Sequence, residues 1–442
     1  MSRMVLLTAV MLAGCMDAPT SSNPPDIVGS DLRTIPTGRP AECPPGTTGA
    51  SGALPGSGAL YLICVPPGFN LATGSLVVYA HGSVPPQLPL ALPDDEVGGA
   101  SVSQIVTGIL GLAFATTSYR QNGLVVVDAT QDLQRLVAKF RQLYGPIGGK
   151  TIAVGTSEGG LIATLATERH PQLFDGTLAA CAPIGDFQRQ INYFNDFRLA
   201  FDFYFAPILA QSGIFLGSPI DIPDGVIAAF GTPSQPGSLA LAIAQAVLTH
   251  PQATNALLAA ADIPLQLGVS DPNEVVEFIL RLLAYNILFT NDTQKVVGGQ
   301  PYDNVAPTDY DRVIDGLDVS SFAADQPALS HLRAKYETSG RLTSPLVTLF
   351  NTSDPIVPSW HEQVYRAKVI EAGATAFLVA QIGSSQFGHC EFTLQEVLAA
   401  FGALAQAVAG EPLALATDGR TGGQACPERS EGAVGHRKEV SP

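Results

Sequence analysis

Short apolar runs and helical periodicities alternate along much of the chain. Residues 60–64, 76–80 and 112–117 are apolar runs of strand length. The stretch from about 126 to 143 places Leu133, Leu136, Val137 and Phe140 at helical spacing. A strand is predicted at 151–155, a helix at 159–169 that stops at His170-Pro171, and a strand at 177–181. The alternation resumes with a strand at 346–350, a helix at 361–372, a strand at 376–382 and a helix from about 393 to 408. Continuous apolar strands alternating with helices predict an α/β protein, its mostly parallel sheet covered on both faces. Residues 185–341 interrupt this order with helical runs such as 239–248 and 275–288. They are predicted to form a helical cap, inserted before the penultimate strand and lying over the carboxyl ends of the strands, where α/β folds bind ligands.

The domain plan that follows is a signal peptide at 1–14, a tether at 15–40, core at 41–184, cap at 185–341, core again at 342–415 and a disordered tail at 416–442, where periodicity ends. The 442 residues hold 23 Lys and Arg against 39 Asp and Glu, a net charge of −16. That balance excludes ordinary nucleic-acid binding, which needs clustered cations. With 14% charged and 46% hydrophobic residues, the chain as a whole is not disordered.

The first residues join a basic Arg3 to an apolar run at 4–12, too short to span a bilayer. Leu12-Ala13-Gly14-Cys15 is similar to the lipobox of bacterial lipoproteins. The resemblance implies cleavage before Cys15, a lipid on its thiol, and an exported protein anchored to the outer membrane or cell surface. The other reading is an ordinary secretory signal and a secreted chain. Export permits disulfides. Cys43 and Cys64 flank a Gly-rich turn and could staple a hairpin. Cys181 ends one predicted strand and Cys390 follows another, both near the candidate site, so they could also pair; Cys426 lies in the tail. No Cys/His metal spacing occurs, and Asp303, Asp309 and Asp311 lack EF-hand spacing, so they read as solvated loop charges. No metal or organic cofactor is expected.

Gly155-Thr156-Ser157-Glu158-Gly159 is a G-x-S-x-G string between a predicted strand and helix, the setting a nucleophile elbow requires. His81-Gly82-Ser83 follows another strand. Its loop is the place for one oxyanion donor, assigned to the N–H of Ser83 or Gly82, with Glu158 N–H as the second. The Glu158 side chain is expected to point away, and His81 to be structural. Asp354, in Asn351-Thr-Ser-Asp-Pro, lies just past a strand end, where a carboxylate can turn toward a His. The competing reading is an Asp-Pro turn. His389, in Gly388-His389-Cys390, alone follows both Ser157 and Asp354 in a loop past the final strand. His170, His250, His331, His361 and His436 read as solvated or capping residues.

The order Ser157, Asp354, His389 resembles the α/β-hydrolase superfamily over about 41–184 and 342–412, with the insertion where many members carry a lid. The strings Thr117-Ser-Tyr-Arg-Gln-Asn-Gly-Leu124, Gly298-Gly-Gln-Pro-Tyr-Asp-Asn304 and Gly388-His-Cys-Glu-Phe-Thr393 look like those of secreted bacterial esterase/peptidase-like members. Tannase-like esterases place a Cys before the nucleophile to bridge the Cys after the catalytic His; here Thr156 stands there, so a bridge from Cys390 must go elsewhere. The resemblance implies a serine hydrolase cleaving a carboxylic ester through a Ser-His-Asp triad. Amidase, peptidase or acyltransferase chemistry on the same triad, and a non-catalytic binding lipoprotein on the same fold, are the alternatives. The partner expected is a small or polymeric ester or amide, apolar if Phe201, Phe203, Tyr204 and Phe205 of the insertion line its site. Ordinary helix packing explains those aromatics equally well.

Overall fold

A computed structural model describes residues 42–93, 95–263 and 265–410. The lipobox with Cys15, the whole tether and the tail with Cys426 lie outside the described residues. Two compact units emerge: a sheet unit of 42–193, 291–306 and 322–410, and a helical unit of 194–290 and 307–321. The helical unit is thus smaller than the predicted insertion of 185–341, whose flanks 185–193, 291–306 and 322–341 belong to the sheet unit.

The strands are β1 (Thr48–Ala53), β2 (Leu60–Val65), β3 (Leu76–Ala80), a short hairpin of β4 (Glu96–Val97) and β5 (Ala100–Ser101), β6 (Ala113–Thr117), β7 (Thr151–Thr156), β8 (Gly176–Ala180), β9 (Leu346–Ser353) and β10 (Leu378–Phe387). Eight form one sheet in the order β1-β2-β6-β3-β7-β8-β9-β10. The six strands from β6 to β10 run parallel, and β1 and β2 are antiparallel at one edge. The Cys43–Cys64 disulfide fastens the start of the described chain to β2. All five residues of β3 are buried, as a strand covered on both faces requires.

Helices of this unit are α1 (Val102–Gln104), continued by a π turn at Ile105–Ile109, α2 (Val126–Tyr144) and α3 (Glu158–Arg169). Next comes α4 (Phe187–Ala210), inside which a unit boundary falls. Period-two alternation sorts the core. Leu76, Val78 and Ala80 pack with Leu133, Leu136 and Phe140 of α2 and Ile162 and Leu165 of α3. Val77 and Tyr79 pack on the other face with Val106 and Phe114.

The helical unit continues with α5 (Asp224–Phe230), α6 (Leu239–Thr249), α7 (Pro251–Ala260) and α8 (Pro272–Val297), in which the second boundary falls. Ser238 caps α6 by accepting from Leu241 N–H, and Pro251 opens α7. Arg198 is wholly buried, and its guanidinium donates to Asp202 (2.9 and 3.0 Å), Asn286 Oδ1 (2.9 Å) and the Gly217 carbonyl (3.0 Å). Arg312 grips Asp196 bidentately at 2.8 and 2.6 Å. Such pairs are tolerated inside because their donors are satisfied, and they fix one arrangement of the helices.

Phe201 is buried and stacks on Phe205, with centroids 4.9 Å apart, whereas Phe203 is 44% exposed. Phe201 therefore packs inside its own unit. Phe201→Ala is expected to cost about 3–5 kcal/mol, and Phe203→Ala less than about 1 kcal/mol. Urea denaturation of the two variants checks this; equal losses would contradict it.

The sheet unit ends with α9 (Gln326–Lys335), α10 (Trp360–Glu371) and α11 (Leu394–Ala409). Thr393 and Glu396 form a capping box at the start of α11. Ala400 and Leu404 of α11 pack on Ile152, Leu178, Val347 and Leu349. Two strands exceed their predicted bounds: β9 reaches Ser353, and β10 runs through polar Gly383 to Gln386 as far as Phe387. β10 is an edge strand whose apolar residues are only partly buried and whose stretch from Gly383 to Gln386 is mostly exposed, so no apolar run marks its second half. Among the described residues, no helix is long and apolar enough to cross a membrane.

Candidate active site

The carboxyl ends of β3, β7, β9 and β10 carry the residues the sequence singled out. β7 ends at Thr156, and α3 begins at Glu158, so Ser157 alone makes the turn. It does so with φ 54° and ψ −126°, a conformation costly for any residue with a Cβ. Close approach explains the glycines around it. A methyl on Gly155 would run into the Gly159 carbonyl, and one on Gly159 would run into the carbonyls of Ala80 and His81 at the end of β3. The turn thus lifts the serine while α3 packs directly against neighbouring strand ends. Ser157 N–H donates to the Ala180 carbonyl at 2.9 Å, tying the turn to β8.

β9 and β10 are parallel neighbours, and Ser353 pairs with Phe387 at their ends. Asp354 and His389 therefore leave adjacent strands side by side. The Asp354 carboxylate accepts from His389 Nδ1 at 2.7 Å through Oδ2, and from Ile356 and Val357 N–H at 2.8 and 3.0 Å through Oδ1. The turn hydrogen bonds at one oxygen aim the other at the histidine, so the Asp-Pro turn and the contact with His389 coexist. With the Nδ1 proton given to a carboxylate, Nε2 is the acceptor, and Ser157 Oγ lies 2.9 Å from it. Ser157, Asp354 and His389 are all buried. The structure thus joins the three candidates in one unbroken hydrogen-bond chain.

The loop with His389 is held from two sides. Cys390 is disulfide-bonded to Cys181 at the end of β8, and this is where its bridge goes in place of Thr156. Asn351, fully buried on β9, donates to the carbonyls of Gln386 (3.2 Å) and Glu391 (2.7 Å) and accepts from Glu391 N–H (3.1 Å). Asn351 carries no signature in the sequence; only its place opposite the loop reveals the role.

Gly82 passes beside the serine: a methyl there would lie 3.3 Å from Ser157 Cβ. Among the described residues, neither Ser83 N–H nor Glu158 N–H has an acceptor. Glu158 N–H opens α3, where the helix dipole favours negative charge. His81 is buried, stacks on Tyr119 at 4.1 Å, and has Nδ1 2.7 Å from the Gly82 carbonyl. Burial lowers its pKa and favours the neutral ring. Tyr119 donates its hydroxyl to the His81 carbonyl at 3.0 Å, bracing the loop. The Glu158 side chain turns to the 121–125 loop and accepts from Val125 N–H at 3.2 Å. Burial, opposed by that bond and reinforced by nearby Asp292, raises its pKa to about 8. The residue beside the serine is then largely uncharged at neutral pH, so it adds little negative charge there.

Two expectations need correction. Asp303 is not a solvated loop charge. It is buried, and its carboxylate accepts from Val305, Ala306 and Ala324 N–H, while Asp309 and Asp311 are exposed. His361 is neither solvated nor a simple cap: it is 1% exposed and hydrogen-bonded at both ring nitrogens. Cys181, His389 and Cys390 bring three potential metal-ligand atoms within 4.8 Å of one another among the described residues. The two sulfurs are bonded to each other, so no thiolate is there to bind a metal.

No protein-family model and no curated protein matches the chain. Among solved structures it is similar to Pyrococcus horikoshii acylaminoacyl peptidase, at 11% identity and a TM-score of 0.37, with 78% of this chain and 37% of that one covered. It is also similar to oligopeptidase B from Leishmania major, at 9% identity and a TM-score of 0.41, covering 82% and 36%. A third is brefeldin A esterase, a bacterial homologue of human hormone sensitive lipase, at 13% identity and a TM-score of 0.38, covering 85% and 78%. The chain spans little more than a third of the length of the two peptidases. The order of the eight strands, and the strand–serine–helix turn at the end of β7, make this the α/β-hydrolase fold.

Proposed function

We propose that the protein is a serine hydrolase that cleaves a carboxylic ester through an acyl-enzyme on Ser157. The observation that supports this reading is the chain Ser157 Oγ, His389 Nε2, His389 Nδ1, Asp354 Oδ2, with links of 2.9 and 2.7 Å. Ser157 Oγ attacks the carbonyl carbon as His389 Nε2 takes its proton. The imidazolium that forms is stabilised by Asp354. The oxyanion is received by the N–H groups of Glu158 and of Ser83 or Gly82. Collapse expels the alcohol, which takes the proton from Nε2. Water, activated by the same histidine, then attacks the acyl carbon and releases the acid and Ser157.

Matched p-nitrophenyl esters and p-nitroanilides, with fluorophosphonate labelling, test the reading. Stoichiometric labelling with ester turnover is expected. Faster turnover of the anilides would shift the reading to an amidase or peptidase. Labelling and turnover both absent would leave a binding protein on a hydrolase fold.

We further propose export and lipid anchoring at Cys15, which rests on the Leu12-Ala13-Gly14-Cys15 string alone. Cys15→Ser is expected to move the protein from the membrane fraction to the soluble exported fraction. An unlipidated wild type would end this proposal.

A further inference from the structure

Asp354 is aimed by its own loop, so whatever holds residues 354–357 decides where the carboxylate points. Two side chains from the first turns of α4 reach that loop. Gln190 Nε2 donates to the Ile356 carbonyl at 2.9 Å, and Tyr193 donates its hydroxyl to the Pro355 carbonyl at 2.7 Å. The two are three residues apart and share one helix face. Gln190 is 2% exposed, so its amide bonds are shielded from water.

The orientation of that amide is set by His361. Its Nδ1 receives the N–H of Gly185 at 2.9 Å and of Asp186 at 3.4 Å, so it must be the unprotonated nitrogen. The proton then sits on Nε2, which lies 2.7 Å from Gln190 Oε1 and donates to it. That leaves the Gln190 NH2 group to face Ile356. Burial, with the charges of Arg189 and Lys368 adding to it, keeps the ring neutral. Trp360 stacks on His361 with centroids 3.7 Å apart, and Arg189 lies 4.0 Å over the indole. Donors and acceptors therefore run in one sense from Gly185 N–H through His361 and Gln190 to the Ile356 carbonyl. The same residue's N–H donates to Asp354 Oδ1.

We propose that Gln190, oriented by His361, is a positioning residue that holds the 354–357 loop so that Asp354 Oδ2 meets His389 Nδ1. The role in turnover rests on the hydrolase reading above; the role in placing Asp354 does not. A residue of this kind acts on the strength and alignment of the Asp354–His389 bond, not on substrate binding.

Two variants separate the donor from its volume. Gln190→Met keeps the bulk and loses both bonds. Gln190→Glu still accepts from His361 but has no N–H for the Ile356 carbonyl. In both, kcat per fluorophosphonate-titrated site is expected to fall roughly 10- to 100-fold, the scale of a small misplacement. KM should stay within about twofold. The acidic limb of kcat/KM should move to lower pH, because a misaligned Asp354 stabilises the imidazolium less. The downfield proton resonance of His389 Nδ1–H should shift upfield, and this readout needs no substrate. If Gln190→Met does not fold, Tyr193→Phe, which loses the bond to the Pro355 carbonyl, is expected to move the same readouts in the same direction by a few-fold. Unmoved resonance and acidic limb in folded variants of an active enzyme would overturn the proposal, however much stability was lost. An inactive wild type whose resonance still moves with Gln190→Met would support the positioning role and sink the hydrolase reading alone.

Discussion

Ser157→Ala is expected to lower kcat on any ester substrate by roughly 10⁴- to 10⁶-fold and to abolish fluorophosphonate labelling. Alanine carries the same Cβ through the strained turn at φ 54°, so the fold and stability should be nearly unchanged. What disappears is the oxygen 2.9 Å from His389 Nε2. Residual turnover would come from the oxyanion donors acting on water. Asp354→Asn should cost roughly 10³- to 10⁴-fold for a different reason. The amide oxygen can replace Oδ1 as acceptor for Ile356 and Val357 N–H, which leaves the NH2 group facing His389 Nδ1. That nitrogen must then accept, so the proton moves to Nε2, and the ring can no longer take one from Ser157. Labelling of the Ser157→Ala protein at wild-type level would place the nucleophile elsewhere.

Glu158→Gln should stabilise the protein in a strongly pH-dependent way. The Glu158 carboxyl has an ordinary pKa of 4.5, raised in the folded protein to about 8, chiefly by burial. Below pH 4.5 both folded and unfolded chains hold the proton, and the residue costs nothing through ionisation. Between these two values only the unfolded chain releases it, so rising pH favours unfolding by up to about 1.4 kcal/mol per unit. Above the folded pKa the loss levels off at an order of a few kcal/mol. Glutamine does not ionise and keeps an oxygen for Val125 N–H. The melting temperatures of the two proteins are therefore expected to agree near pH 4 and to separate progressively up to pH 8–9, with the variant more stable. A constant difference across that range would mean that the carboxyl ionises normally in the folded state. The Glu158 N–H is untouched, so turnover at pH 7 should change little.

Much of the site was legible because its parts are local. A glycine on either side of a serine, between an apolar run and a helix, has a steric cause that the turn at Ser157 displays: Gly155 and Gly159 sit against backbone carbonyls. Asp354 and His389 were legible from strand ends and chain order. The order did not show that β9 and β10 extend to Ser353 and Phe387, pair there, and so deliver the two side chains next to each other. Edge-strand residues such as Ser384 to Gln386 carry no apolar pattern, so their strand becomes visible only through its partner. The bridges Cys181–Cys390 and Cys43–Cys64 were both open from the sequence, and both are formed.

Periodicity and punctuation along the chain determined the α/β class and singled out the residues most suited to nucleophilic chemistry. These depend on neighbours a few residues apart, through strand pleat, helix repeat and turn sterics. Tertiary structure alone decided which distant polar groups meet. His361, lying 171 residues from Gln190, reads in the sequence as one more helix-capping histidine. In the fold it is buried, tautomerically fixed and bonded to the amide that holds the Asp354 loop. Asp303 likewise passes from loop acid to buried backbone acceptor, and Glu158 from an awkward charge to a largely protonated acid. A polar side chain's role depends on its desolvation and its partners. Packing across the sheet fixes both, because a buried donor or acceptor must find a complement wherever in the chain it comes from.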